Sequence, residues 1–220
     1  MKNRATSGFD RTHNIEIFGN YLAPFGKGQA YLQHGPAGYI LGGWEIAGSM
    51  SKESGTPFTI TGSGTSLGSN TANLSQVADV VGKSNMILGV VGHKINTPGV
   101  TYFNTANFKD PSVAENALGL GTCSSVSGTA NALNVCRYGT AGRNSLRGPG
   151  FFNASISLGR QFRLTDRYSF TSRCEAMNFT NTPSFGNPDA GVTDGAFGEI
   201  TGMASNYAPR TVRLSGRITF

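Results

Sequence analysis

Few residues in this chain have the types and spacing that chemistry needs. His13, His34 and His93 lie far apart, with no acid partner in sequence and no Cys-x-x-Cys pair, so a zinc site has little support. One Gly-x-Ser-x-Gly match, GTSLG around Ser66, has the composition of a nucleophile elbow. An elbow needs a strand before the serine and a helix after it, and this one sits in a small-residue stretch, so the match reads as chance. The glycines of TGSGTSLGSN also lack the spacing and strand-helix context of a phosphate-binding loop. No catalytic, cofactor-binding or metal site is therefore assigned, no cofactor is expected, and the chain is not read as an enzyme. The charges Glu16, Glu45, Arg173, Glu175, Arg213 and Arg217 are more informative, because each falls on the polar phase of an alternating stretch. Charges of both signs on one face suit a water-filled lumen with neighbouring ion pairs, and would be costly in a dry core.

Five stretches supply that face. In TVRLSGRITF, Val212, Leu214, Gly216, Ile218 and Phe220 alternate with Thr211, Arg213, Ser215, Arg217 and Thr219, a period of two without error. FFNASISLGRQFRL sets Phe152, Ala154, Ile156, Leu158, Phe162 and Leu164 on one face, with Arg160 as the offender. YSFTSRCEAMNF puts Tyr168, Phe170, Cys174 and Ala176, with Ser172 as the polar exception, opposite Thr171, Arg173 and Glu175, and the short TDR link predicts a hairpin between these two strands. HNIEIFGNYLA and GGWEIAGSMS alternate in the same way, with Phe18 breaking the polar face of the first. No segment has a helical spacing long enough to compete, and 31 glycines favour turns and close backbone approach, so the expected fold is all-β.

Composition narrows the partners. The net charge of +6 would suit an acidic partner, but the basic residues are scattered singly without a basic-aromatic patch, so nucleic acid is not expected. Cys123 and Cys136 bracket a polar, small-residue stretch where a disulfide is plausible in an oxidising compartment, with free thiols as the alternative. The opening MKNRATSGFDRTHN has no apolar central region of a signal peptide, and no stretch approaches the roughly 20 apolar residues of a transmembrane helix. The chain is then soluble, or a membrane β-barrel, or part of a longer chain whose export signal lies elsewhere.

Loop lengths favour the barrel. Roughly 90 residues separate Ser54 from Gly148, and about 30 separate Asn178 from Pro209, far beyond ordinary connections. Outer-membrane barrels pair short periplasmic turns with long external loops. With Phe220 at the periplasm, the strand directions place both shorter links inside and both long loops outside. Tyr21, Trp44, Phe162 and Tyr168 then gather with Phe220 near the periplasmic end, as an interfacial girdle would, and Arg160 is within snorkelling reach of the same interface. A soluble β-sandwich or solenoid with a wet face alternates in the same way and remains open.

The stretches LGGWEIAGSMSKESGTPFTIT, YFNTANFKDP, GRNSLRGPGFFNASISLGRQFRL, EAMNFTNTPSFGNP and RTVRLSGRITF resemble, in order, the C-terminal part of Oar-like TonB-dependent transporters. The resemblance runs from about Asp10 to Phe220 and lapses between about Gly62 and Gly99; Met177 stands where an aromatic is expected. It implies a barrel of about 22 strands with a plugged lumen, set in outer-membrane lipid, taking up an unidentified substrate with energy passed by the TonB complex. Residues 1–220 would be the C-terminal portion of that barrel domain, with an extracellular loop at about 55–148. The plug, the TonB-contacting segment and an N-terminal regulatory-like domain are absent from it and would lie upstream. The terminal strand, through Val212, Leu214, Ile218 and Phe220, would be similar to the signal read by the barrel-assembly machinery. The alternative from the residues is a secreted or surface β-protein acting as an adhesin or ligand-binding module.

Overall fold

The computed structural model describes residues 4–62, 76–82, 97–111, 138–165 and 167–220. Its strands are β1 (Asn14–Leu22), β2 (Trp44–Glu53), β3 (Pro57–Phe58), β4 (Asp79–Val80), β5 (Phe108–Lys109), β6 (Leu146–Arg147), β7 (Phe151–Arg163), β8 (Ser169–Met177) and β9 (Thr211–Thr219). Among the described residues one short α-helix, α1 (Gly35–Leu41), lies between β1 and β2, and a 3-10 turn spans Thr105–Asn107. The chain divides into two compact units.

The first, the sheet unit, comprises His13–Glu53, Phe151–Pro183 and Asn206–Phe220. Its five strands are antiparallel in the order β1-β2-β7-β8-β9, so every neighbour in the sheet is also the next long strand in the sequence. The five predicted strands are these five, within a residue or two at each end. They run for 9 to 13 residues, the reach of a tilted strand that crosses a bilayer, about 9–11 residues. The predicted hairpin closes through Leu164 N–H and Thr165 N–H, both donating to Tyr168 O at 3.0 and 3.1 Å.

Alternation alone says that each strand has two faces; the register says that the faces agree across the sheet. Tyr21 lies opposite Ile46, Ile46 opposite Leu158, Leu158 opposite Cys174 and Cys174 opposite Leu214. Because directly opposed residues point to the same side, this row and its neighbours make one continuous, mainly apolar face, interrupted by Arg160 and by Lys52 between Ile15 and Phe152. A slip of one residue at any of the four pairings would put charges into it. The face is uncovered: Ile15, Ile17, Val212, Leu214 and Ile218 are all exposed, Leu214 at 79%. An apolar surface that wide is unfavourable in water and natural against acyl chains.

The second, the loop unit, comprises Met1–Thr12, Ser54–Gly150 and Ser184–Ser205. The span read from the sequence as one long loop thus contributes a compact body with its own core. Ile60 and Phe103 are at its centre, Phe103 with 1% exposure, surrounded by Phe58, Val77, Tyr102, Phe108, Leu146, Phe185 and Ile200. The Phe103 ring meets Phe58, Phe108 and Phe197 at centroid distances of 6.0, 5.7 and 5.4 Å. Two-residue ladders, β3 with β6 and β4 with β5, join sequence-distant pieces. Buried Gln76 accepts Val77 N–H and Gly139 N–H through Oε1, at 3.1 and 3.2 Å. A Cβ at Gly139 would come within 2.0 Å of Val77 O, so this approach admits no side chain.

Candidate functional site

The polar face of the sheet unit is built by β2, β7, β8 and β9 acting together. Arg173 and Glu175, two apart on β8, share a face by strand geometry, with Arg173 Nη1 3.7 Å from Glu175 Oε1. Arg213 on β9 lies directly opposite Glu175. Glu45 on β2 lies opposite Gly159, which in turn lies opposite Arg173. The Arg173 side chain reaches across Gly159, where a Cβ would stand in ordinary contact, 3.6 Å, with Arg173 Nε. Four of the six charges singled out from the sequence therefore occupy two adjacent rows of one face. Arg217, opposite Thr171, is one row farther toward the hairpin end. Glu16 stands apart, opposite Ser51, on the far side of the Phe18–Ser49 pair. The side chains of Arg173 and Glu175 are 46% and 31% exposed, so the pair adds about 0–1 kcal/mol to stability and its value is in patterning charge along a wet surface.

The apolar face has its own device at the hairpin end. Trp44 lies opposite Arg160, and the Arg160 guanidinium sits over the rings of Phe162, Trp44 and Tyr39 at 4.2, 5.4 and 5.8 Å. It donates to Ile40 O at 2.8 Å and to Tyr39 O, two end-of-helix carbonyls of α1, while Trp44 Nε1 donates to Ile40 O at 3.1 Å. Arg160 is thus tied to α1 and packed against three aromatic rings at the end of the sheet where the sequence places an interface. Tyr39 was missed, since seven residues carry too little periodicity to announce a helix. The available signal was GPAG, with proline in the first turn of α1. The link around α1 is tight because Gly26 and Gly42 touch: a Cβ at Gly42 would come within 2.7 Å of Gly26 Cα.

Of the predicted girdle, Tyr21, Trp44 and Phe162 lie on the apolar face in the rows nearest the hairpin, and Tyr168 precedes β8 at the same end. Phe162 stacks on its cross-strand partner Phe170 at 6.1 Å, and the Phe170 ring spreads over Gly216, where a Cβ would meet it at 3.1 Å. Val212, Leu214 and Ile218 face the same side from β9, and Phe220 follows the strand with 92% exposure. Cys174 is a free thiol on this face. Ser66, His93, Cys123 and Cys136 lie outside the described residues, so the disulfide reading stays with the sequence.

Asn178 was also missed. It adopts a left-handed φ of 47° and is buried at the end of β8. Its Nδ2 donates to Thr182 O and Ala208 O at 3.2 and 2.9 Å, and its Oδ1 accepts Thr182 N–H at 3.1 Å, so one side chain closes both ends of the β8–β9 connection.

A sheet of bilayer-spanning strands, apolar and uncovered on one side and charged on the other, is the wall of a transmembrane β-barrel. The family model described as an outer membrane beta barrel domain matches residues 1–213, and the chain belongs to that family. It is accordingly a protein of the Gram-negative outer membrane. No curated protein and no solved structure matches it.

Proposed function

We propose that the chain forms barrel wall and outer loops of a TonB-dependent transporter similar to the Oar-like group, taking up a substrate that its loops and an upstream plug would select. The observation that carries this reading is the charged cluster Glu45, Arg173, Glu175 and Arg213 on the face that an outer-membrane barrel turns inward. A lumen lined by both signs of charge can hold a polar plug or pass a polar solute, and the ordered motifs described above supply the family likeness. In this proposal outer-membrane lipid covers the apolar face, the barrel-assembly machinery reads β9, and the TonB complex acts through the upstream part. The chain has no enzymatic role, no cofactor and no nucleic-acid partner in this reading.

The test is uptake in cells that export the complete protein. Accumulation of a labelled solute mixture that disappears when TonB is removed is the expected result. Binding at the cell surface without accumulation, unchanged by TonB, would overturn transport and favour the adhesin alternative. The loop unit, with its own core, is the feature such a binding module would use.

A further inference from the structure

We propose that the loop unit contains an anion site in which Arg4 and Arg143 bind a doubly charged oxyanion of the phosphate-monoester class. The two arginines share the lining of a cavity of about 570 Å³ with Thr6, Asn144, Ser145 and Arg147, a volume within the usual range for small-ligand sites, about 300–1,000 Å³. Among the described residues that line it, none is acidic.

The cavity is held together by Asn144. That residue has a left-handed φ of 53°. Its N–H donates to Thr59 Oγ1 at 2.9 Å, Thr59 Oγ1 donates to its Oδ1 at 3.1 Å, and its Nδ2 donates to Thr6 O at 2.7 Å. The last bond brings the N-terminal segment, with Arg4, against the segment that carries Arg143. The two arginines of GRNSLRGPG then have different tasks. Arg147 is structural: its Nη2 pairs with the Asp10 carboxylate and its Nη1 donates to Gly55 O at 3.2 Å, so its charge is matched within the unit. Arg4 and Arg143 have no ion-pair partner among the described residues.

Two guanidinium groups lining one cleft put two positive charges there that an anion can neutralise. Each presents a planar fork of donors that fits two oxygens of a tetrahedral oxyanion. Two positive charges balance a phosphate monoester, which is close to a dianion at neutral pH, better than they balance a single carboxylate. The ligand is either a soluble phosphorylated solute or the phosphate of a lipid headgroup. The site does not depend on the transport reading, since binding can be measured without uptake.

The full chain, folded in zwitterionic detergent, would be titrated calorimetrically with inorganic phosphate and, separately, with micelles containing a monophosphorylated lipid or a neutral lipid. Saturable binding in either phosphate arm is expected; the first arm identifies a soluble ligand and the second a headgroup. Binding should weaken at least about tenfold in Arg4→Gln/Arg143→Gln, and by less in Arg4→Lys/Arg143→Lys, which keeps the charge and loses the fork. Lys27→Gln/Arg167→Gln, which removes the same charge from exposed links of the sheet unit, should bind as the parent does. No saturable binding in either arm, unchanged binding in the Arg4/Arg143 variants, or equal loss in the Lys27/Arg167 variant would each overturn the proposal.

Discussion

Arg160 shows how one residue that breaks a pattern can be the most informative in its strand. On an apolar face a cation is unfavourable unless its charge is spread, and here three rings spread it while two helix carbonyls accept from its Nη atoms, leaving the buried Nε without a hydrogen-bond partner among the described residues. Arg160→Met should therefore destabilise the detergent-folded chain by about 1–3 kcal/mol, read as a lower urea midpoint of the heat-modifiable band. Arg160→Lys should recover only part, because an ammonium cannot span both carbonyls while stacking. A midpoint for Arg160→Met equal to that of the parent would mean the guanidinium is a bystander. A second residue-scale effect concerns Tyr102 in the loop unit, whose burial raises its phenol above the ordinary 10.0. The folded unit then holds that proton where the unfolded chain has released it. Its contribution is fully present below the unfolded value and is lost as pH rises toward the folded one. The urea midpoint of the loop unit should fall as pH rises past the unfolded value of 10.0, and Tyr102→Phe should flatten that fall. A Tyr102→Phe profile as steep as the parent's would place the titration elsewhere.

At the scale of elements, the five long strands were legible because each borders two different media. That requirement writes itself into every second residue, whatever the rest of the chain does. The short ladders were not legible, because Pro57–Phe58 and Leu146–Arg147 are two residues each and gain their meaning only when Phe58 and Leu146 meet around Phe103. The polar cluster was half legible: alternation assigns Glu45, Arg173, Glu175 and Arg213 to one face, but only the register brings them into adjacent rows and leaves Glu16 outside. Strand β9 offers the sharpest test of the two faces, since neighbouring positions should respond oppositely to one substitution. Leu214→Arg, on the apolar side near mid-strand, should cost about 2–4 kcal/mol in a lipid-embedded wall. Ser215→Arg, one residue on and facing the charged side opposite Arg173, should cost much less, about 0.2–1 kcal/mol of like-charge repulsion. Folding yields into liposomes, scored by heat modifiability, give both values. If the two variants behave alike, β9 does not separate lipid from lumen.

At the scale of the whole molecule, the sequence is divided twice between the units: the sheet is interrupted after Glu53 and again after Pro183 to build a body whose core takes no residue from any of the five long strands. The stretches YFNTANF and SFGNP, which no strand pattern absorbs, find their role there. Phe103, Phe108 and Phe185 enter the core, Asn104 Oδ1 caps the turn at Ala106 N–H at 3.1 Å, and Thr56 Oγ1 donates to Asn187 Oδ1 at 3.3 Å. A loop that only connected strands would have no need of a fully buried phenylalanine contacted by three other rings. Phe103→Ala should therefore cost the loop unit about 3–5 kcal/mol, the usual loss for a large buried ring. Since that core takes no residue from the five long strands, which pair with one another, the strands should still fold. Limited proteolysis of the membrane-inserted variant would then cut within residues 54–150 while a heat-modifiable sheet persists. Protection of that span equal to the parent's would show that the core does not hold the loop unit together. Loss of the heat-modifiable species along with it would show that the five strands depend on that core, and that folding is cooperative across the chain.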